Sequence, residues 1–225
     1  MVDYCTLAEL KAQPGITGTG DDAVLTLAIS AAAAAIDAFC NRPDGFKALS
    51  VADATTRTYT GSGGPVQFID ECTAVLNVYV KDSSTETTYT AWAATDWIAF
   101  SGDPERADFN RTPYTALMVD PNGTYAEFTS GLVASRPGFS PSTDHLRTRG
   151  WPTVQVKARW GYANTIPAQV QEANVLQALR WFKRGQSGGA DATTGPEFGQ
   201  LLYRKVLDPD IEMMLVNSRL VRVTI

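Results

Sequence analysis

The sequence predicts an α+β protein, with a helical core formed by the N- and C-terminal segments and an inserted antiparallel β-rich domain, a small barrel or sandwich. Two observations carry this prediction. Apolar residues recur at helical spacing near both ends of the chain, and β-forming residues alternate with polar ones between about residue 50 and residue 161. The expected boundaries are residues 1–48 for the N-terminal helical part, 49–161 for the inserted domain and 162–225 for the C-terminal helices and tail.

The N-terminal part is predicted to hold a short helix, residues 6–12, and a long one, residues 21–41. Asp21 is expected at the N-cap of the long helix, where its carboxylate would accept amide protons, and Pro43 ends that helix. The predicted apolar stripe consists of Leu25, Ala28, Ile29, Ala32, Ile36, Phe39 and Cys40. The opposite face is nearly all small (Ser30, Ala31, Ala34, Ala38), which suits either close helix packing or a solvated surface.

The middle of the chain is predicted to form short strands at residues 55–60, 66–69, 75–81, 87–90, 97–100, 116–119 and 154–160. Residues 131–152 and 185–196 are rich in Gly, Pro and Ser and are predicted to be surface loops. A helix is expected at residues 168–184, with a buried stripe of Val170, Ala173, Leu176, Leu179 and Phe182. A shorter helix follows at residues 210–215, and the alternating last six residues suit an edge strand added to a neighbour.

Composition and charge exclude several classes of function. The net charge of −5 argues against tight non-specific binding to nucleic acid, which needs clustered Lys and Arg. No stretch approaches the roughly 20 apolar residues of a membrane span, and the N-terminus lacks the features of a signal peptide, so no membrane partner and cytosolic synthesis are expected. The three cysteines, Cys5, Cys40 and Cys72, have no CxxC spacing, which argues against a disulfide framework or a zinc site.

The residues that could carry chemistry are few. The single histidine, His145, stands beside Ser142 and Asp144 in a predicted loop, where sequence neighbours do not orient one another as a catalytic base requires. The run from Asp120 to Thr124 contains Asn-Gly and indicates a turn rather than a calcium loop. We therefore predict no catalytic, cofactor-binding or metal-ligating residue and no cofactor, and we do not expect an enzyme.

Three segments carry a resemblance to a known family. The first is the predicted helix at residues 21–41 with the short helix before it. The second is the sequence Trp160-Gly-Tyr, which leads into a helix ending at Lys183-Arg184, and the third is the Asp208-Pro-Asp helix followed by a basic and apolar tail. Together they resemble the head-to-tail connector, or adaptor, proteins of tailed bacteriophages. Compact members of that family are largely helical, so the β-rich middle of this chain departs from the pattern.

The resemblance implies a structural virion protein, made in the host cytoplasm and located in the neck between head and tail. It would form a ring, by the family pattern a dodecamer, on the portal protein, extend the DNA channel without binding DNA specifically, and dock the tail or a stopper protein. The residues expected to contact the portal or a neighbouring subunit are Arg180, Lys183, Arg184, Arg219, Leu220 and Arg222.

Two alternatives stay open at this point. One is a tail-completion or neck protein of the virion. The other is a small carbohydrate-active enzyme, which would use the acidic pairs at residues 70/71, 103/105 and 208/210 together with some of the five tryptophans, although buried packing is the commoner role of tryptophan.

Overall fold

The computed structural model describes residues 2–13, 16, 18–101, 111–131, 150–186 and 207–222. These residues contain helices and an antiparallel sheet, which confirms the predicted α+β class. The chain divides into two compact units: a helical unit, Met1–Lys47 with Thr165–Ile225, and a sheet unit, Ala48–Asn164. His145, Ser142, Asp144 and the pair Asp103/Glu105 lie outside the described residues, as do most of the loops predicted at 131–152 and 185–196.

The helical unit begins with α1 (Leu7–Lys11), whose first turn is closed by a capping box. The N–H of Glu9 donates to Thr6 Oγ1 at 3.2 Å, and the N–H of Thr6 donates to Glu9 Oε2 at 2.7 Å. Two otherwise free amide donors are thereby satisfied. The other carboxylate oxygen of Glu9 accepts a bond from Gln171 on α3 (Ala168–Gln186) at 2.7 Å, which ties the two helices together.

The long helix α2 (Asp22–Phe39) forms as predicted, but its N-terminus is held differently. Asp21 occupies the N-cap position with φ −101° and ψ 6°, not the extended conformation usual for capping residues, and its side chain makes no capping bond. The predicted carboxylate cap is therefore wrong. Asp22 instead forms an ion pair with Lys11, the last residue of α1.

The core of the helical unit lies between α2 and α3 (Ala168–Gln186). From α2 it takes Leu25, Ala28, Ile29 and Ala32, and from α3 it takes Val175, Ala178 and Phe182. Among the described residues, α2 is long and apolar enough to cross a membrane by length and composition alone. One third of this helix is buried inside the protein, and Leu25, Ala28, Ile29 and Ala32 form the face that packs in the core with α3.

The predicted stripe of α3 is correct only in part. Val170, Ala173 and Phe182 are buried, whereas Leu176 is 41% exposed and Asn174, Val175, Gln177 and Ala178 are buried in its place. The unit is completed by α4 (Pro209–Asn217), which packs on α3.

The sheet unit contains one six-stranded sheet in the described residues. Its strands are β1 (Thr55–Thr60), β2 (Val66–Val80), β3 (Thr90–Trp92), β4 (Trp97–Phe100), β5 (Tyr114–Val119) and β6 (Pro152–Trp160). The order is β1-β6-β2-β5-β4, with β3 paired to β2, and every pairing is antiparallel. The core on this sheet includes Val78, Leu117, Phe128, Val156 and Trp160.

The strand β2 corrects the sequence prediction most clearly. Residues 66–69 and 75–81 were expected to be separate strands, but a single strand of 15 residues runs through both. It is continuous because its first half pairs with β5 and its second half with β6, with register shifts between residues 68 and 77 that let one strand serve both partners.

Candidate interaction surfaces

Asp208 joins the start of α4 to the side of α3. As the N-cap of α4, it accepts the N–H of Asp210 on Oδ1 at 3.1 Å, while Oδ2 forms an ion pair with the guanidinium of Arg180. Its own N–H donates to Gln177 Oε1 at 3.1 Å. Pro209 follows at the first helical position, where its missing N–H costs nothing. Arg180 therefore acts inside the helical unit, holding α4 against α3.

Besides Arg180, helix α3 carries two cationic residues, and both are exposed to solvent at its C-terminal end. Lys183 and Arg184 are exposed in its last turn, where cations are favoured by the helix dipole. Arg219, just beyond α4, is exposed as well. Of the six predicted interface residues, these three have the most accessible side chains.

The tail folds back onto the end of α2. Arg219 has a positive φ of 54°, which turns the chain after α4. Leu220 is then 4% exposed, its carbonyl accepts a bond from Arg42 Nε at 2.9 Å, and the N–H of Arg222 donates to the carbonyl of Cys40 at 3.0 Å. Residues 220–222 do not form a strand, and residues 223–225, the rest of the predicted edge strand, lie outside the described residues. Leu220 thus contributes mainly to the unit's own core.

A buried tyrosine, Tyr4, fixes the N-terminal segment to the same end of α2. Tyr4 is 2% exposed, its hydroxyl donates to Asp37 Oδ1 at 2.5 Å, and it accepts the N–H of Phe46 at 2.9 Å. Burial raises the pKa of Asp37 to about 6, although the bond from Tyr4 partly offsets this effect. Gly45 has φ +71°, and a Cβ there would lie 2.5 Å from the tyrosine oxygen. The turn after α2 therefore requires glycine.

Two helices expose apolar side chains that the sequence analysis did not single out. On α2, Val24 is 54% and Leu27 is 70% exposed, and on α4, Met213 is 59% and Val216 is 54% exposed. These residues are three positions apart in each helix, so each pair lies on one face. The signal was present in the sequence: Val24 and Leu27 fall outside the stripe that α2 needs for its core.

Among the described residues of the helical unit, one pocket brings a thiol, a carboxylate and an amine together. An open pocket of about 430 Å³ lies beside α1, lined in part by Cys5, Glu9 and Lys47. The carboxylate of Glu9 accepts hydrogen bonds from Thr6 and Gln171. These bonds hold the pKa of Glu9 below its usual range, and those from Thr6 have the larger effect. Burial raises the pKa of the Cys5 thiol to about 11, so that it is protonated at neutral pH. Cys5 is therefore not an activated nucleophile, and Glu9 is not an activated base.

In the sheet unit, Asp70 and Trp160 take part in structural contacts. Asp70 accepts bonds from Arg57 and from the Tyr59 hydroxyl, both at 2.9 Å, and the Arg57 guanidinium lies 4.5 Å from the ring centre of the buried Trp160. The predicted turn after Asp120 is confirmed, because the N–H of Gly123 donates to the Asp120 carbonyl at 2.9 Å. Over the part of the chain that the structure describes, no group of three or more His, Cys, Asp or Glu residues could hold a metal ion.

The helical pair and the first strands match a known family. Residues 4–87 match the model of the phage gp6-like head-tail connector proteins. This match confirms the resemblance to the head-to-tail connector family that the sequence indicated. No curated protein matches the chain. The family is structural and non-enzymatic, and it indicates a role at the junction of head and tail in the virion, with portal and tail components as partners.

The extent of the match differs from the extent of the predicted resemblance. It covers α1 and α2, as expected, and continues through β1 and β2, which the sequence analysis had set apart as a departure from the family. The segments around α3 and α4, which also carried the resemblance, lie beyond the matched residues.

Proposed function

We propose that this protein is a head-to-tail adaptor of a tailed bacteriophage. In this role it forms a ring, a dodecamer, on the portal protein, continues the DNA channel and receives the tail or a stopper protein. The helical unit is the connector core, and the sheet unit is an inserted domain of that core. The observation that carries the proposal is the family match over residues 4–87.

The chemistry of the described residues supports a binding role. Three acidic residues of the helical unit are engaged in structural contacts: Glu9 and Asp208 cap helices, and Asp37 is bonded to a buried tyrosine. The net charge of −5 also suits a conduit, because a channel without clustered cations does not retain DNA phosphates. In this proposal the protein acts by binding alone and carries out no bond chemistry.

Electron microscopy of particles made by a phage that lacks this gene tests the proposal. We expect full heads lying apart from finished tails, and joined particles when the wild-type gene is supplied from a plasmid. Normal infectious particles from the deletion strain would refute the adaptor role.

A second measurement separates the adaptor from a tail-completion protein. In lysates where joining is blocked by loss of another neck component, antibody labelling should find this protein on heads. Label on the ends of free tails, with bare heads, would instead assign it to the tail.

A further inference from the structure

The exposed faces of α2 and α4 form two rows with the same spacing. The α2 row consists of Val24 and Leu27 on the helix and Asp21 at the position just before it. The α4 row, read in the opposite chain direction, consists of Arg219, two positions beyond the end of the helix, and of Val216 and Met213 on the helix. Each row has one exposed charged residue, then two exposed apolar residues, at steps of three positions. When the helices are laid antiparallel, the acidic end of one row meets the basic end of the other, and apolar side chains meet in between.

The charges at the two ends are complementary. The α2 helix contains no Lys or Arg, and the Asp22 carboxylate at its start pairs with Lys11 of α1, so Asp21 is the exposed acidic residue of the row. Asp21 makes no capping bond within its own helix. Arg219 follows the C-terminus of α4, where a cation is favoured. An antiparallel contact therefore pairs opposite charges and opposite dipole ends.

The two rows lie on helices that pack against different sides of α3. Val175, Ala178 and Phe182 pack against α2, and Asn174 donates to the Ile29 carbonyl of α2 at 3.1 Å. By contrast, Gln177 and Arg180 bond Asp208 at the start of α4. At about 100° of rotation per residue, these two sets occupy separate arcs of α3. The outward rows of α2 and α4 consequently belong to two different faces of the unit.

We propose that the α4 row of one copy packs against the α2 row of the next copy of this chain. This inference rests on the proposed ring and names the faces that build it. Because the two faces differ, the contact is heterologous and can continue from copy to copy until a ring closes, which a self-complementary face cannot do. The contact is small beside a standard interface of about 1,600 Å², so it forms effectively only where the portal holds copies side by side.

Cysteine cross-linking in assembled heads tests the contact directly. The double variant Leu27→Cys/Met213→Cys should yield, under mild oxidation, a ladder of covalent multimers. Each single variant should yield none, because a heterologous contact never brings two copies of one site together. The three native cysteines are buried, so they do not contribute a background. The pair Leu27→Cys/Val51→Cys is a matched control, since Val51 is 62% exposed on the sheet unit.

Charge exchange provides an independent test. We expect Asp21→Arg alone and Arg219→Asp alone each to lower the amount of protein on heads about three- to tenfold, and the double exchange to restore it. Neither side chain is needed for a cap or a core, so the fold should persist, which circular dichroism of the purified variants checks.

The outcomes distinguish the contact from the proposed function. A ladder from the double variant supports the contact. If the wild-type protein is present on heads but the double variant gives no cross-link, the proposed contact is wrong and the adaptor role is unaffected. Dimers from the Leu27→Cys variant alone also overturn the contact, because they show a self-complementary face. Absence of the wild-type protein from heads refutes the adaptor role, and the ring contact is refuted with it.

Discussion

Replacing Tyr4 by phenylalanine removes one oxygen atom from the centre of the helical unit. In the wild type that oxygen donates to Asp37 at 2.5 Å and accepts the N–H of Phe46 at 2.9 Å. The variant leaves the buried N–H without its partner, at a cost of about 1–3 kcal/mol, and removes a charge-assisted bond to the carboxylate. Since these contributions are not fully additive, we expect a loss of about 2–4 kcal/mol at pH 7.5.

The loss should depend on pH. Burial raises the pKa of Asp37 to about 6, above its value in the unfolded chain, so its contribution to stability is fully present below about pH 4 and is lost as the pH rises through 6. The bond from Tyr4 lowers this pKa, and its removal raises the pKa further. The destabilisation by Tyr4→Phe should therefore be larger at pH 7.5 than at pH 4.5, where only neutral hydrogen bonds worth about 1–2 kcal/mol are lost.

Amide hydrogen exchange of α2, read by mass spectrometry and corrected for intrinsic rates, measures this loss within the helical unit. The control is Tyr59→Phe in the sheet unit, which removes a bond to Asp70 while Arg57 still pairs with that carboxylate. It should leave exchange in α2 unchanged. Equal destabilisation by Tyr4→Phe at both pH values, or a loss below about 1 kcal/mol at pH 7.5, would contradict the reasoning.

Three further predictions follow from the same contacts. Arg180→Ala should speed exchange in α4 by loosening its N-cap, by about 1 kcal/mol, whereas Lys183→Ala, on the exposed last turn of α3, should not. Gly45→Ala should lower the melting temperature of the helical unit, because a Cβ would meet Tyr4 at 2.5 Å in a backbone with positive φ; an unchanged melting curve would contradict this. The thiols should resist Ellman's reagent at pH 8 until urea unfolds the chain, because burial raises their pKa values to about 11 or 12; rapid labelling of the native protein would contradict the buried positions of Cys5, Cys40 and Cys72.

Helices α2 and α3 show how far periodicity predicts a core. For α2 the predicted stripe mixed steps of three and four residues. Five of its seven members are buried in the protein: Leu25, Ala28, Ile29, Ala32 and Ile36. For α3 the predicted stripe used steps of three only. Such a row rotates backwards by about 60° at each step, so its five residues together turn by about 240° and cannot all stay on one face of a helix with 3.6 residues per turn. Leu176 accordingly emerges on the surface.

Two of the residues that replaced the predicted ones in α3, Asn174 and Gln177, could not be found from hydrophobicity. Asn174 and Gln177 are fully buried, yet they are polar, and each is tolerated because it bonds a specific partner: the Ile29 carbonyl and the N–H of Asp208. Those partners lie 145 and 31 positions away along the chain. Local patterning carries no information about pairs at such separations, and only the folded structure brings them together.

Several of the residues that indicated the connector family are not the residues best placed to bind a partner. The Asp208-Pro-Asp sequence that helped to indicate the connector family serves the fold, since Asp208 caps α4 and binds Arg180, and Leu220 from the tail is buried against the end of α2. These residues are constrained by contacts inside one subunit. Side chains that bind another subunit must instead be exposed in the isolated chain, as Leu27 and Met213 are. We therefore expect charge reversal at Asp21 or Arg219 to impair assembly without unfolding the protein, and Arg180→Ala to loosen α4 first.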